Sequence, residues 1–191
     1  AMGMVVGKVF VKDYFPERTK QRYTRMVEAI RSTYREHIQT LAWMSAQTKA
    51  KALEKLDKMS KKVGFPDTWK DMSTLQIGRG SFAQNMQSAE RWHFDDNVAK
   101  FGKPVAEDEF ADPRATLPTV VNAAYVSGRN GIEIPAAFLQ PPFYAPNADA
   151  GVNFCTLGAV IGHEITHGFD SSGRLYDAQG NVRDWWAPAD T

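Results

Sequence analysis

The chain has 191 residues, of which 43% are apolar, 12% aromatic and 24% charged. That suffices for a sizeable core and excludes collagen-like, mucin-like or wholly disordered classes. Its 23 lysines and arginines against 22 acids leave a net charge of +1, so no bulk field favours nucleic acid or an anionic membrane, and a single cysteine excludes a disulfide scaffold.

The opening Ala1-Met2-Gly3-Met4 lacks the pattern of a secretory signal and reads as an internal start or a cloning remnant. From Pro16 to Met44, the residues Tyr23, Met26, Val27, Ile30, Tyr34, Ile38 and Leu41 recur at helical steps, with Arg22, Arg25, Arg31 and Arg35 largely on other faces. This predicts an amphipathic helix with Pro16 in its first turn. Ser45 suits the N-cap of a second helix that carries Leu53, Leu56 and Met59 and stops at Gly64. Its lysines 49, 51, 55, 58, 61 and 62 read as a solvated face supported by Glu54–Lys58 and Asp57–Lys61 pairs. No aromatic residues interleave with them as a nucleic-acid groove would require. No apolar run approaches the roughly 18 residues of a membrane span.

A connection rich in Pro66, Gly78 and Gly80 leads to a third helix from about Ser81 to Phe101, closed by Gly102-Lys103-Pro104. His37 and His93 fall in these helices without partners at metal-binding spacing. Acids and prolines from Glu107 to Pro118 mark a change of texture. Beyond it, the β-rich run 119–126, the turn-like residues 127–131 and Ile132-Glu133-Ile134 predict two short strands joined by a turn.

From Asn153 onward, Leu157, Val160, Ile161 and Ile165 predict a mostly apolar, buried helix. Within it stands His163-Glu164-Ile165-Thr166-His167. Histidines at i and i+4 lie one above the other on a helix, so both imidazoles can hold one Zn²⁺ while Glu164 serves as general base toward water at the metal. The same pattern also arises in a buried helix whose histidines satisfy carbonyls or water. Against that stands the cost of stranding several polar groups in so apolar a segment. Cys155, on the same helix with no adjacent base, reads as a buried thiol rather than a nucleophile.

The stretch Val160–Asp170, Val-Ile-Gly-His-Glu-Ile-Thr-His-Gly-Phe-Asp, resembles the signature of the neprilysin and endothelin-converting enzyme family of zinc endopeptidases, which includes bacterial oligopeptidases. Val121-Asn122-Ala123-Ala124-Tyr125, Pro135-Ala136, Leu139-Gln140-Pro141-Pro142-Phe143, Gly173-Arg174-Leu175-Tyr176 and Asp184-Trp185-Trp186 stand in the family's order and spacing. Weaker matches extend through Leu41-Ala42-Trp43-Met44, residues 51–56 and Gly102-Lys103-Pro104-Val105, so the similarity covers nearly the whole chain.

The resemblance implies an α+β, predominantly helical fold: a helical-lobe segment over residues 1–111 and the first half of a zincin-like (thermolysin-like) catalytic domain over 112–191. It implies one catalytic Zn²⁺ held by His163 and His167, with Glu164 as the base and Asp170 as the carboxylate that orients a ligand histidine. Asn122 and Ala123 would hold the backbone of a peptide substrate along a strand edge, and Phe138, Phe143 and Val160 would line the pocket for the apolar residue after the scissile bond. For these last three, ordinary core packing is an equal alternative.

The chain departs from the family at Ala124, Ala137, Cys155 and Ser171. The family's third zinc ligand, a glutamate in Glu-x-x-x-Asp, is expected several dozen residues after His167 and hence beyond Thr191, so the chain resembles the middle portion of a longer enzyme. The activity implied is hydrolysis of oligopeptides on the amino side of apolar residues. Two alternatives stay open: half of a nicked or split peptidase completed by a second polypeptide, and a non-catalytic helical interaction module. Relatives are mostly exported or outward-facing, and a single cysteine fits a bacterial member, which implies a periplasmic or secreted location, with a cytoplasmic one as the alternative.

Overall fold

A computed structural model describes residues 2–104, 110 and 116–190. The expected change of texture around 107–118, the boundary at 111/112 and Val105 fall wholly or largely outside these residues.

The chain opens with a helix that the sequence reading passed over. Helix α1, Gly3–Tyr14, buries Gly7 and Val11. It approaches Leu117 and Pro118 so closely that side chains at Gly3 and Gly7 would press on them. Its cap carries no side-chain hydrogen bond, so packing rather than local signals maintains it. Phe15 follows, fully buried, stacked on Tyr23 at 5.7 Å and edge-on to Phe65 at 6.2 Å.

Helix α2, Glu17–Thr40, takes Pro16 as its N-cap and buries Tyr23, Met26, Val27 and Ile38. It stops four residues short of the expected end. Helix α3, Ala46–Lys58, begins as expected at Ser45, whose hydroxyl accepts from the Thr48 amide, but ends well before Gly64. Residues Ser60–Gly64 instead form strand β1, because their backbone pairs in parallel with a strand formed much later in the chain. Gly64 closes that strand at φ +79, where a Cβ would also meet the Phe15 ring at 2.5 Å; only glycine meets both conditions.

The lysine face is solvated, with altered pairing. Glu54 bridges Lys51 and Lys58, while Asp57 meets Arg35 and Lys61 meets Glu28. Lys55 is no part of that face. It is fully buried.

Helix α4, Phe82–Ala99, starts at its Ser81 cap. His93 lies within it, half-buried beside Trp92, and His37 is exposed in the last turn of α2. Strand β2, Ala124–Val126, is shorter than the β-rich run suggested and turns through a 3₁₀ segment, Ser127–Arg129, into β3, Gly131–Pro135. The sheet order is β1-β3-β2, with β3 parallel to β1 and antiparallel to β2. Strand β3 is buried along its whole length, as expected of a central strand covered on both faces.

The last helical run is α5, Ala150–Asn153, a π-helical turn over Phe154–Gly158, and α6, Ala159–Thr166. Leu157, Ile161 and Ile165 are fully buried and belong to the same core as Met26, Val27 and Ile134. The expected thorough burial of this segment does not hold: His163, Thr166 and His167 form an exposed face. Cys155 is exposed as well, four and eight residues before Ala159 and His163 on the same outward face, and lies in the π-helical turn. The chain then closes on itself, for the Asp190 carboxylate accepts from the Ser45 amide at 3.1 Å. Among the described residues, no helix is long and apolar enough to cross a membrane.

Candidate metal centre

Helix α6 presents two kinds of surface. Its apolar stripe packs on α2, and Glu164, at 7% exposure, points inward between that stripe and β2. The histidines face out. His163 and His167 approach edge to face with ring centroids 4.5 Å apart and their Nε2 atoms 3.0 Å apart.

This geometry fits zinc. Two zinc–nitrogen bonds of about 2.0–2.1 Å at a tetrahedral angle separate their nitrogens by about 3.3 Å, close to the distance the helix already sets. The donor set suits the ion too, because imidazole is a preferred zinc ligand. Among the described residues, no group of three or more His, Cys, Asp or Glu side chains converges on one point, so these residues supply two ligands.

The outer nitrogen of His167 is also specified. Its Nδ1 lies 2.8 Å from Asp170 Oδ2, while Asp170 Oδ1 accepts from the Ser172 amide at 2.9 Å and the Gly173 amide at 2.7 Å. Burial works to raise the Asp170 carboxyl, but hydrogen bonds from Gly173, His167 and Ser172 outweigh it and hold the group below the usual carboxylate range. An ionised Asp170 accepts a hydrogen bond from Nδ1–H, which makes that the favoured tautomer and leaves Nε2 with its lone pair toward His163.

Glu164 is tuned the other way. Burial pushes its carboxyl above the ordinary value, and the charges of His163 and His167 with a hydrogen bond to the Tyr125 backbone offset this only in part. A buried carboxylate with raised proton affinity, next to two potential metal ligands, has the attributes of a general base.

Several residues that the sequence did not single out brace this centre. The Tyr34 hydroxyl of α2 donates to the Gly162 carbonyl at 2.7 Å and lies 2.6 Å from the Thr166 hydroxyl. Tyr125 of β2 sends its hydroxyl to Asn130 Oδ1 at 2.9 Å, and Asn130 Nδ2 donates to the carbonyls of Lys55 and Ala178. Lys55 carried the one available signal. It occupies the stripe of Thr48, Ala52, Leu56 and Met59, where a lysine is out of character.

Asn122 and Ala123 directly precede β2, the former exposed and the latter half-buried against the core. Strand β2 is an edge of the sheet among the described residues, with no further strand beside it, although the Tyr125 backbone there hydrogen-bonds to Glu164. Phe138 and Phe143 stack at 4.3 Å; Phe138 is buried, whereas Phe143 and Val160 pack half-buried against the core.

Comparisons with known proteins agree with this arrangement. Two models described as peptidase family M13 match residues 1–66 and 122–191, which together make up most of the chain. Neprilysin-11 of Caenorhabditis elegans is 35% identical over 96% of this chain and 22% of its own length. An endothelin-converting enzyme homolog of Locusta migratoria is 32% identical over 97% and 26%. The zinc metalloprotease Zmp1 of Mycobacterium tuberculosis, in complex with inhibitor, superposes with a TM-score of 0.87 at 44% identity, covering 99% of this chain and 28% of that one. PepO from Lactobacillus rhamnosis gives 0.85 at 33% identity, covering 98% and 30%. The chain thus spans about a quarter of the length of the curated relatives it matches, and its fold is the mostly helical architecture with a small mixed sheet seen in those structures. With matches running through both its helical and its histidine-bearing parts, the chain belongs to peptidase family M13.

Proposed function

We propose that this chain contributes the His163–Glu164–His167 half of the catalytic centre of a zinc-dependent endopeptidase. The observation that supports this most is the pair of Nε2 atoms 3.0 Å apart, with Asp170 on the outer nitrogen of one ring. His163 and His167 would hold one zinc ion. When bound, zinc polarises the scissile carbonyl and lowers the pKa of its water toward neutrality.

The chain's own residues carry the rest. The Glu164 carboxylate takes a proton from the attacking water and later passes it to the leaving amine nitrogen; its burial strengthens that uptake. Asp170 keeps His167 in the Nδ1–H tautomer. The outer edge of β2, with Asn122 and Ala123 at its entrance, takes the extended substrate backbone as an added strand. Phe138, Phe143 and Val160 belong to the pocket for the apolar residue after the scissile bond, and the substrates are oligopeptides cleaved on its amino side. Zmp1 carries zinc metalloprotease in its name, which supports the choice of ion. An exported bacterial protein is the accompanying expectation for location.

Glu164→Gln tests the reading. It should keep zinc while peptide cleavage falls roughly 10²- to 10⁴-fold, whereas His163→Ala and His167→Ala should lose the metal itself. Unchanged cleavage in Glu164→Gln would overturn it.

A second reading follows from the count of two ligands among the described residues. The third ligand would come from outside them, on this polypeptide or on another. A native mass spectrum beside a denatured one separates the cases: a co-purifying polypeptide carrying Glu-x-x-x-Asp marks a split peptidase. A lone chain that binds zinc weakly or not at all and cleaves no peptide leaves the third ligand to residues outside these, whereas a Glu164→Ala variant with unchanged behaviour marks an interaction module.

A further inference from the structure

Lys55 is the least expected residue in the molecule. It lies fully buried in the apolar stripe of α3, where Leu or Met would pack without the cost of desolvating a cation. Among the described residues, no carboxylate forms an ion pair with it. Its ammonium instead donates to the carbonyls of Gly173 at 2.7 Å and Tyr176 at 2.5 Å, and it lies over the rings of Trp185 at 5.5 Å and Tyr125 at 5.8 Å.

Both carbonyls belong to the loop that holds Asp170. Gly173 donates its amide to Asp170 Oδ1 at 2.7 Å and offers its carbonyl to Lys55, while the Arg174 amide returns to the Asp170 carbonyl at 2.9 Å. The Lys55 ammonium therefore anchors the turn whose amides aim Asp170 at His167 Nδ1. Its backbone serves the other side of the centre. The Lys55 carbonyl accepts from Asn130, which fixes the Tyr125 hydroxyl, and the Tyr125 backbone hydrogen-bonds to Glu164.

We infer that Lys55 is a positioning residue for the metal centre: through the Gly173 and Tyr176 carbonyls it holds the Asp170 loop in the shape that fixes the tautomer and orientation of His167. The inference rests on the metal-centre reading above and extends it to a residue of the helical segment, outside the His-Glu-x-x-His helix. Carboxylates and carbonyls that orient a ligand histidine typically contribute 10- to 100-fold in metal affinity, and a buried cation that freezes such a carboxylate acts through the same route.

The test needs no turnover. Nitrogen-15 spectra of the metal-free full chain report the His167 tautomer directly. The parent should show Nδ1–H alone, and Lys55→Met a mixture of Nδ1–H and Nε2–H forms. Zinc affinity, measured by competition with a chelator, should fall roughly 10- to 100-fold in Lys55→Met and by a similar factor in Asp170→Ala. The double variant should bind no more weakly than Asp170→Ala alone, because both changes act on one relay. If Lys55→Met does not fold, Lys55→Gln, whose shorter neutral amide keeps part of the anchor, should show the same tautomer mixture and loss of affinity in smaller measure. A single retained tautomer with unchanged affinity would overturn the inference, as would losses that add in the double variant. A parent chain that binds no zinc would place the missing third ligand as essential to the metal centre, while the metal-free tautomer still decides the role of Lys55.

Discussion

The hydroxyl of Tyr34 and the carbonyl of Gly162 meet at 2.7 Å, which fastens α2 to the turn of α6 just ahead of His163. The Thr166 hydroxyl donates to the same carbonyl at 2.9 Å, so that acceptor would stay satisfied without the tyrosine. Tyr34→Phe should therefore cost only about 1 kcal/mol of stability, the net worth of one ordinary hydrogen bond. Urea unfolding of the two chains measures it, and a loss several times larger would mean that the hydroxyl does more than fasten two helices.

Asn130 asks for more. It is the one non-glycine residue at positive φ among those described, at 45°, and its buried amide joins Tyr125, Lys55 and Ala178. Asn130→Ala strands the Lys55 and Ala178 carbonyls and strains the backbone, for an expected loss on the order of 3 kcal/mol. Asn130→Gly relieves the strain alone and should recover about 1 kcal/mol of it. Equal stabilities for the two variants would show that the backbone conformation contributes nothing.

These braces show what could and could not be read from the sequence. His163, Glu164 and His167 lie within five residues on one helix, and helical geometry alone brings them together; Asp170, in the turn beyond α6, was legible only through the family resemblance. Seven apolar residues at regular steps made α2 equally visible. By contrast, Tyr34 reaches its partner across 128 residues and Lys55 across 118, and no local pattern encodes such contacts. Strand β1 was missed for the same reason: Ser60-Lys61-Lys62-Val63-Gly64 has little strand character until β3 offers a ladder. Helix α1 lacks a capping side chain and is rich in β-branched valines, so its propensity was overridden by packing. Cys155 was misplaced because the segment is apolar as a whole, yet residues 155, 159, 163 and 167 stand four apart on the face that is exposed.

Gly173 tests how tightly the Asp170 loop is drawn in. A Cβ there would lie 1.9 Å from the His167 carbonyl oxygen and 2.8 Å from that of Gly168. Both are backbone atoms of the turn that follows α6, so neither can swing aside as a side chain would. Gly173→Ala should cost on the order of 3 kcal/mol, with the Asp170–His167 contact disturbed as the loop backs away. A denaturant midpoint within error of the parent would mean that the loop has slack.

The buried ammonium of Lys55 also predicts a distinctive alkaline behaviour. Burial lowers its pKa from 10.5 to about 8, with Asp177 and Asp170 countering in part. Below pH 8 the folded and unfolded chains both hold the proton, and the fold bears the full cost of the buried cation. Between about 8 and 10.5 the unfolded chain binds more protons, so stability rises with pH through that window. The full rise corresponds to about 3 kcal/mol. Near the top of the window it meets an opposing trend: burial raises the Tyr23 and Tyr125 phenols, so these ionise first in the unfolded chain. The clean interval therefore runs from about pH 8 toward the ordinary tyrosine value of 10. Urea midpoints across that interval should climb in the parent and stay level in Lys55→Met, since methionine has no proton to lose. An equal climb in both chains would assign the rise to another group and leave the Lys55 ammonium no more costly to bury than to expose.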